Sequence, residues 1–142
     1  RLENDRIGLV EGIKSGLIDV IVSDHTPEDE ESKRLPFAQA ATGAIGIETL
    51  LPLALEMYHN ESLTLSKIIE TLTINPAKIL KIHKGTLKKG SEADICVFDL
   101  NKPWIVSANN LKSKSKNSAI EGRKLQGKVF MTFLNGELVF KS

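Results

Sequence analysis

Asp24 and His25 lie one residue beyond a short apolar segment, where a carboxylate and an imidazole can do chemistry. Residues 18–22 read Ile-Asp-Val-Ile-Val, a β-branched run typical of a strand buried on both faces of a parallel sheet. Active sites of α/β folds are built at the C-terminal ends of such strands. A carboxylate there can bind a divalent metal and carry a proton. Asp also commonly caps turns, and position alone does not separate these two interpretations.

Helix and loop signals lie on both sides of this strand. Apolar residues at helical spacing predict a helix over residues 2–15, capped by Asn4 or Asp5 and stopped by Gly16. Residues 23–35 are polar and contain a proline, which predicts a long loop. The order of helix, tight turn and strand is that of an α/β protein.

Three more helices are predicted before residue 84. The first runs through residues 47–58, with Pro52 either in its first turn or kinking it. The second begins near Thr64, and the third is announced by Asn75 as N-cap and Pro76 as first helical residue.

From Gly85 onward the pattern changes to short strands, with Asn135-Gly136 as a hairpin turn. The predicted strands are residues 94–97, 104–106, 129–133 and 138–140. The chain therefore divides near residue 84 into an α/β part and an all-β part. A lone parallel strand needs partner strands for its backbone groups, and the chain opens at Arg1 without a methionine. We therefore expect a truncated piece whose missing strands are encoded elsewhere.

Composition restricts the class of protein. With 19 basic and 18 acidic side chains, the net charge of +1 provides no electrostatic footprint for nucleic acid or an anionic membrane. The basic residues Lys112, Lys114 and Lys116 are diluted by polar neighbours, which is typical of a solvated loop. No apolar stretch approaches the ~20 residues of a membrane helix. The single cysteine, Cys96, lies in an apolar run and suits a reducing compartment, so we expect a cytoplasmic protein.

Residues 23–27, Ser-Asp-His-Thr-Pro, resemble the Asp-His-x-Pro signature that ends the eighth barrel strand of cyclic amidohydrolases. Further motifs of that superfamily follow in order at Gly43–Thr49, Asn75–Leu80, Gly85–Asp99 and Gly127–Gly136. The resemblance implies an α/β fold, the C-terminal fragment of a (βα)8 metallo-hydrolase barrel with strands of a small β-sandwich. Residues 1–84 would be the last strand and closing helices of the barrel, and residues 85–142 the sandwich strands.

Within the superfamily, residues 33–48 and 112–117 are most similar to bacterial dihydroorotases. This resemblance implies a zinc-dependent enzyme that reversibly cyclises N-carbamoyl-L-aspartate to dihydroorotate in pyrimidine synthesis. It makes Asp24 the metal ligand and general base and acid, and it places the backbone of Thr42 and Gly43 near the substrate. A plain turn glycine is an equal interpretation of Gly43 from sequence alone. Implied partners are the missing N-terminal segment, further copies of the chain and aspartate carbamoyltransferase.

Two departures from the dihydroorotase pattern bear on function. Glu28 stands where the family carries a histidine that binds the substrate carboxylate, and a carboxylate there would repel a dianion. The family's upstream metal-binding histidines are also missing, since only His25, His59 and His83 are present. Because a zinc site needs at least three protein ligands, we do not expect this stretch alone to hold one or two zinc ions.

Two alternative functions remain open. The Asp-His-x-Pro core does not separate a dihydroorotase from an allantoinase or hydantoinase. Glu28 supports a second alternative, a non-catalytic dihydroorotase-like scaffold for aspartate carbamoyltransferase. In isolation, the chain is expected to show no hydrolase activity and to self-associate through exposed barrel edges.

Overall fold

A computed structural model describes residues 2–142 of the chain. Within this range, helices precede the strands, as the sequence pattern predicts. The helices are α1 Glu3–Ser15, α2 Glu30–Arg34, α3 Leu50–His59, α4 Leu65–Leu72 and α5 Ile74–Leu80, and the strands are β1 Ile95–Ile105, β2 Lys124–Leu134 and β3 Glu137–Lys141. A short 3₁₀ turn, Ala108–Asn110, lies between the first two strands.

Helix α1 confirms the predicted helix and its stop. Gly16 takes a left-handed conformation with φ of 81° and its N–H reaches back to the carbonyls of the last turn. The predicted N-caps, Asn4 and Asp5, are wrong because the helix begins earlier, with Leu2 at the N-cap position. Asp5 instead accepts a hydrogen bond from the Leu2 N–H at 3.0 Å.

Residues 18–22, predicted as a buried strand, belong to no helix or strand. The described residues place no neighbouring strand beside them, so no ladder of hydrogen bonds forms, and Val22 is 72% exposed. Two contacts hold the segment against the helices. The Ile21 N–H donates to the Thr71 carbonyl at 3.2 Å, and the Asn75 side chain donates to the Asp19 carbonyl at 3.0 Å.

The other helices follow their sequence signals with two corrections. Pro52 lies in the first turn of α3, and Thr64 caps α4 by accepting the Lys67 N–H. Asn75 is not an N-cap, because α5 begins one residue earlier, at Ile74. The Asn75 side-chain amide instead donates to the Asp19 carbonyl in residues 18–22. The predicted loop over residues 23–35 also contains α2, which Asp29 caps by accepting the Ser32 N–H at 2.7 Å.

The three strands form one antiparallel sheet in the order β1-β2-β3. Two of the predicted strands, 94–97 and 104–106, overlap the two ends of the single strand β1, which has an irregularity between Asp99 and Pro103. Asn135 and Gly136 connect β2 to β3 with φ of 52° and 83°, which confirms the predicted hairpin turn.

Two apolar clusters pack the molecule. One joins the helices through Ile13, Ala54, Leu63 and Ile68. The other joins the loop residue Ile45 to Val106, Leu111 and Leu125 of the sheet part. The second cluster therefore attaches the loops after residue 22 to the β part. Across residues 2–142, no helix is both long and apolar enough to cross a membrane.

Candidate active site

A cleft of about 460 Å³ lies between residues 21–26, residues 43–46 and helix α3. Asp24 and Gly43, two of the predicted site residues, both line this cleft, together with Thr26. The rest of the lining is largely apolar and comes from α3 and from Ala119 and Ile120. The chain thus places a carboxylate and a glycine-rich loop at the edge of an otherwise apolar cleft.

Asp24 is exposed and takes a left-handed backbone conformation with φ of 46°. Such a conformation is uncommon for a residue other than glycine, although Asp tolerates it better than most. The Asp24 carbonyl accepts the Thr26 hydroxyl at 3.1 Å, while its carboxylate accepts no hydrogen bond from the described residues. The carboxylate is therefore not engaged in capping the turn.

His25 has a structural contact that sequence reasoning missed. Its Nδ1 accepts the N–H of Gly46 at 3.1 Å and that of Ile47 at 3.4 Å. These two contacts at one ring nitrogen fix the orientation of the imidazole. His25 therefore joins the loop carrying Asp24 to the loop that follows Gly43. Its position beside Asp24 was the signal, but the partner lies more than twenty residues away.

Gly43 is required by its surroundings. Its φ is +137°, and a Cβ added there would lie 2.6 Å from the Thr26 carbonyl oxygen. The glycine loop therefore packs directly on the backbone two residues beyond Asp24. A glycine is therefore needed for this packing, and the approach of Gly43 to the substrate stays a prediction.

Two side chains hold the Gly43 carbonyl, and neither was singled out as a site residue from the sequence. Asn117 Nδ2 donates to it at 2.8 Å and Lys33 Nζ at 3.1 Å, and Lys33 also donates to the Ala41 carbonyl at 2.7 Å. Both residues fall in stretches where the resemblance to dihydroorotases is strongest. That resemblance was the one available signal, since Asn117 is 74 residues from Gly43.

Residues 112–117, here called the bridging loop, extend from the β part onto the rim of the cleft. The Glu48 carboxylate accepts the N–H of Lys112 at 2.8 Å and of Ser113 at 3.1 Å. Ser115 Oγ donates to the Glu28 carbonyl at 2.7 Å. The lysine side chains are exposed, as a solvated loop predicts, but the main chain of this loop is fastened at several points.

Glu28 and Thr42, the remaining predicted site residues, lie near the cleft but do not line it. Glu28 is half-buried, and its contact is through the main-chain oxygen bound by Ser115. Thr42 is exposed and immediately precedes Gly43. Their predicted roles in substrate binding stay predictions.

Metal ligands are scarce in this part of the molecule. Residues 2–142 contain no group of three or more His, Cys, Asp or Glu side chains placed to hold a metal ion. Asp24 is a single carboxylate, and the Nδ1 of the adjacent His25 is occupied by backbone N–H groups. These residues alone do not fit a zinc site, which takes at least three protein ligands.

Comparison with known proteins shows to which family the chain belongs. Residues 1–139 match the amidohydrolase family, and the chain belongs to that family. The site is thus part of an amidohydrolase, assembled at the C-terminal end of the segment predicted as a barrel strand.

More particularly, the chain is similar to proteins named dihydroorotase. It is 45% identical to that of Ehrlichia chaffeensis over 142 residues, covering 100% of this chain and 32% of the relative. It is also 45% identical to that of Aquifex aeolicus over 141 residues, covering 99% of this chain and 33% of the relative. The chain therefore spans about a third of the length of these curated relatives.

Solved structures confirm the amidohydrolase fold. An L-hydantoinase (dihydropyrimidinase) from Arthrobacter aurescens superposes with a TM-score of 0.90 at 33% identity, over 99% of this chain and 33% of that protein. A D-hydantoinase superposes equally well, with a TM-score of 0.90 at 24% identity, over 100% of this chain and 32% of that chain. The helices and the three-stranded sheet are consistent with part of such an α/β protein.

Proposed function

We propose that this chain is the C-terminal third of a dihydroorotase, which interconverts N-carbamoyl-L-aspartate and dihydroorotate. The observation that carries the proposal is the placement of Asp24 in one cleft with Gly43. Identity of 45% to dihydroorotases along the whole chain supports the choice of substrate class. The helices and the sheet would then be the end of the barrel and part of the sandwich.

In this proposal the Asp24 carboxylate carries the proton. Hydrolysis of dihydroorotate forms a bond from water oxygen to the ring carbonyl carbon and breaks the ring C–N bond. Asp24 takes the proton that the water loses and delivers it to the nitrogen that leaves, and cyclisation reverses these transfers. The exposed carboxylate, which accepts no hydrogen bond from residues 2–142, is available for both transfers.

Asp24 is also proposed as one ligand of a zinc site of one or two ions. The other ligands would come from outside the described residues, because these hold no cluster able to bind a metal. Thr42 and Gly43 are proposed to contact the substrate through their backbone, and Glu28 is proposed to lie at the substrate carboxylate end. The complete enzyme would be cytoplasmic and oligomeric.

Two other functions each have one supporting observation. The 33% identity to an L-hydantoinase supports a hydantoinase-type cyclic amidohydrolase. Glu28, in place of the carboxylate-binding histidine, supports a non-catalytic scaffold for aspartate carbamoyltransferase. Intact metal-binding histidines in the upstream sequence would favour an enzyme, and substituted ones the scaffold.

The test is an assay of the complete protein with dihydroorotate, allantoin and hydantoin, with and without Asp24→Asn. We expect turnover of dihydroorotate and a loss of kcat of roughly 10²- to 10⁴-fold in the variant, because an amide does not take up the proton. Asp19→Asn is the matched control, since Asp19 is exposed and its carboxylate makes no hydrogen bond or ion pair within residues 2–142, while its main-chain carbonyl accepts the Asn75 amide. Wild-type turnover confined to another ring would contradict the dihydroorotase proposal, and absence of turnover on all three would favour the scaffold.

A further inference from the structure

The Gly43 carbonyl oxygen receives two donors from opposite parts of the chain. Lys33 Nζ approaches from the last turn of α2, and Asn117 Nδ2 approaches from the bridging loop. Both side chains' contacts are partly shielded from water, and the lysine bonds are charge-assisted. This carbonyl is therefore held by side chains from two different parts of the chain, whereas the next carbonyl, that of Ala44, accepts only the Thr26 N–H within residues 2–142.

Holding this oxygen fixes the direction of the next N–H. The peptide bond is planar and trans, so the Ala44 N–H points opposite to the Gly43 carbonyl, away from Lys33 and Asn117. Ala44 lines the cleft together with Asp24. The Ala44 N–H donates to no acceptor in the part of the chain that the structure describes. The next N–H, that of Ile45, donates to the Asn117 carbonyl.

We propose that Asn117 and Lys33 are positioning residues, which orient the Gly43–Ala44 peptide so that its N–H donates to an acceptor oxygen of the bound substrate. This inference rests on the proposed dihydroorotase function, in which the substrate offers carbonyl and carboxylate oxygens. The β part then acts on substrate affinity through the bridging loop, although Asn117 itself touches no substrate. Asp24 remains responsible for the proton.

The experiment measures kcat and KM of the complete enzyme with dihydroorotate for Asn117→Ala, Lys33→Met and the double variant. Loss of one hydrogen bond is expected to raise KM roughly 3- to 10-fold for N117A, and the charge-assisted bonds to raise it roughly 10- to 30-fold for K33M. The double variant should raise KM by less than the product of the two, because both side chains hold one oxygen. In each case kcat should stay within about twofold.

Two control variants accompany the test. Lys114→Met alters an exposed side chain of the same loop that makes no hydrogen bond or ion pair within residues 2–142, and it should leave both constants unchanged. Lys33→Arg should recover much of the lost affinity, since a guanidinium can also donate to two carbonyls.

A purely structural role has a different signature. Partial unfolding lowers the concentration of active enzyme, so kcat falls while KM stays constant, and that result for N117A would overturn the inference. A double variant whose effects multiply would overturn it as well, because independent effects cannot arise from one shared oxygen.

If the wild-type enzyme hydrolyses only a hydantoin, the dihydroorotase proposal fails, and the same KM comparison on that ring still decides the roles of Lys33 and Asn117. If it neither binds nor converts any of these rings, both proposals fail.

Discussion

Gly43 has a backbone conformation and a close neighbour that only a glycine can accommodate together. Its φ of +137° lies outside the range that side chains accept, and the Thr26 carbonyl occupies the place of a Cβ. Asp24, two residues before Thr26, is itself in a left-handed conformation. Backbone strain of this kind costs about 1–3 kcal/mol per residue and collects at functional sites. The cleft therefore depends on local conformations that the surrounding contacts must hold in place.

Gly43→Ala is expected to lower the free energy of unfolding of the complete protein by about 1–3 kcal/mol and to reduce activity by displacing Thr26. Gly122→Ala is the matched control, because Gly122 has φ of +77° with nothing within 4 Å of its added Cβ. Urea unfolding and kcat/KM of both variants measure the difference. Equal losses of stability and activity in the two variants would contradict a role for the Thr26 overlap.

Sequence reasoning at single positions found part of this site. Asp24 was a candidate because a polar residue follows an apolar run, and the resemblance to dihydroorotases then made it a metal ligand and pointed to Gly43. Lys33 and Asn117 were not, because their function depends on the carbonyl of a residue 10 and 74 positions away. Periodicity and motif spacing carry no information about which carbonyl a long side chain reaches.

The hairpin β2–β3 is fastened to the start of β1 at its turn. The Asn135 N–H donates to the Asp94 carboxylate at 2.9 Å, and the Gly136 N–H donates to the Ala93 carbonyl at 3.0 Å. The Asp94 carboxylate also pairs with Lys84, just before the β part begins. The Ala93-Asp94 and Asn135-Gly136 motifs, which are distant in sequence, are therefore two sides of one contact.

This contact predicts a specific pH dependence. The Asn135 N–H and then the Lys84 ammonium hold the pKa of Asp94 below its usual value. Since the folded pKa is the lower one, the stabilisation is present above the unfolded pKa of about 3.9 and is lost as pH falls through the folded pKa. Asp94→Asn should therefore lower Tm at pH 7, and the gap from wild type should close as the pH falls well below about 4.

Thermal unfolding of wild type and Asp94→Asn between pH 3 and 7 measures this gap. Glu92→Gln is the control, because Glu92 also pairs with Lys84 but accepts no N–H from the turn. An exposed ion pair contributes little, so E92Q should change Tm much less. A gap for D94N that is constant with pH would contradict the prediction.

Elements were predicted better than their boundaries. Four helices and the hairpin follow from periodicity, caps and turn residues, while α2 was missed because five residues are too few for a periodic signal. The strand over residues 18–22 was predicted from composition, but the described residues provide no partner strand to complete it. A β-ladder requires two strands, so the composition of one segment alone does not predict that it will pair as a strand.

The two parts that meet near residue 84 are joined more closely than the change of pattern suggests. Helix α3 packs on β2, and Ile45 is buried with Val106 and Leu125. The bridging loop also donates a hydrogen bond to the Gly43 carbonyl beside the cleft. At the same time, large apolar side chains such as Val22, Leu17 and Phe37 are 72%, 83% and 100% exposed. The molecule thus combines two buried apolar clusters with large exposed apolar side chains in and beside residues 18–22 and in the loop after α2.

Residues 1–142 in isolation are expected to bind zinc only weakly and to self-associate, because the described residues contain no three-ligand cluster and the apolar surface is uncovered. Calorimetric titration with zinc and sedimentation at increasing concentration measure both properties. Tight binding at one zinc per chain that disappears in Asp24→Asn would contradict the assignment of the other ligands to a separate segment.

Gly127 in β2 has φ of +100°, and a Cβ there would lie 2.5 Å from Leu55 Cδ1 of α3. The helix thus rests on bare backbone of the sheet, and the fully buried Leu55 fills the space that a side chain at 127 would need. A chimera that joins residues 1–84 of this chain to the C-terminal strands of another amidohydrolase must therefore keep a glycine opposite Leu55. In this chain, exchange of the C-terminal strands is limited by this pair before any question of catalysis arises.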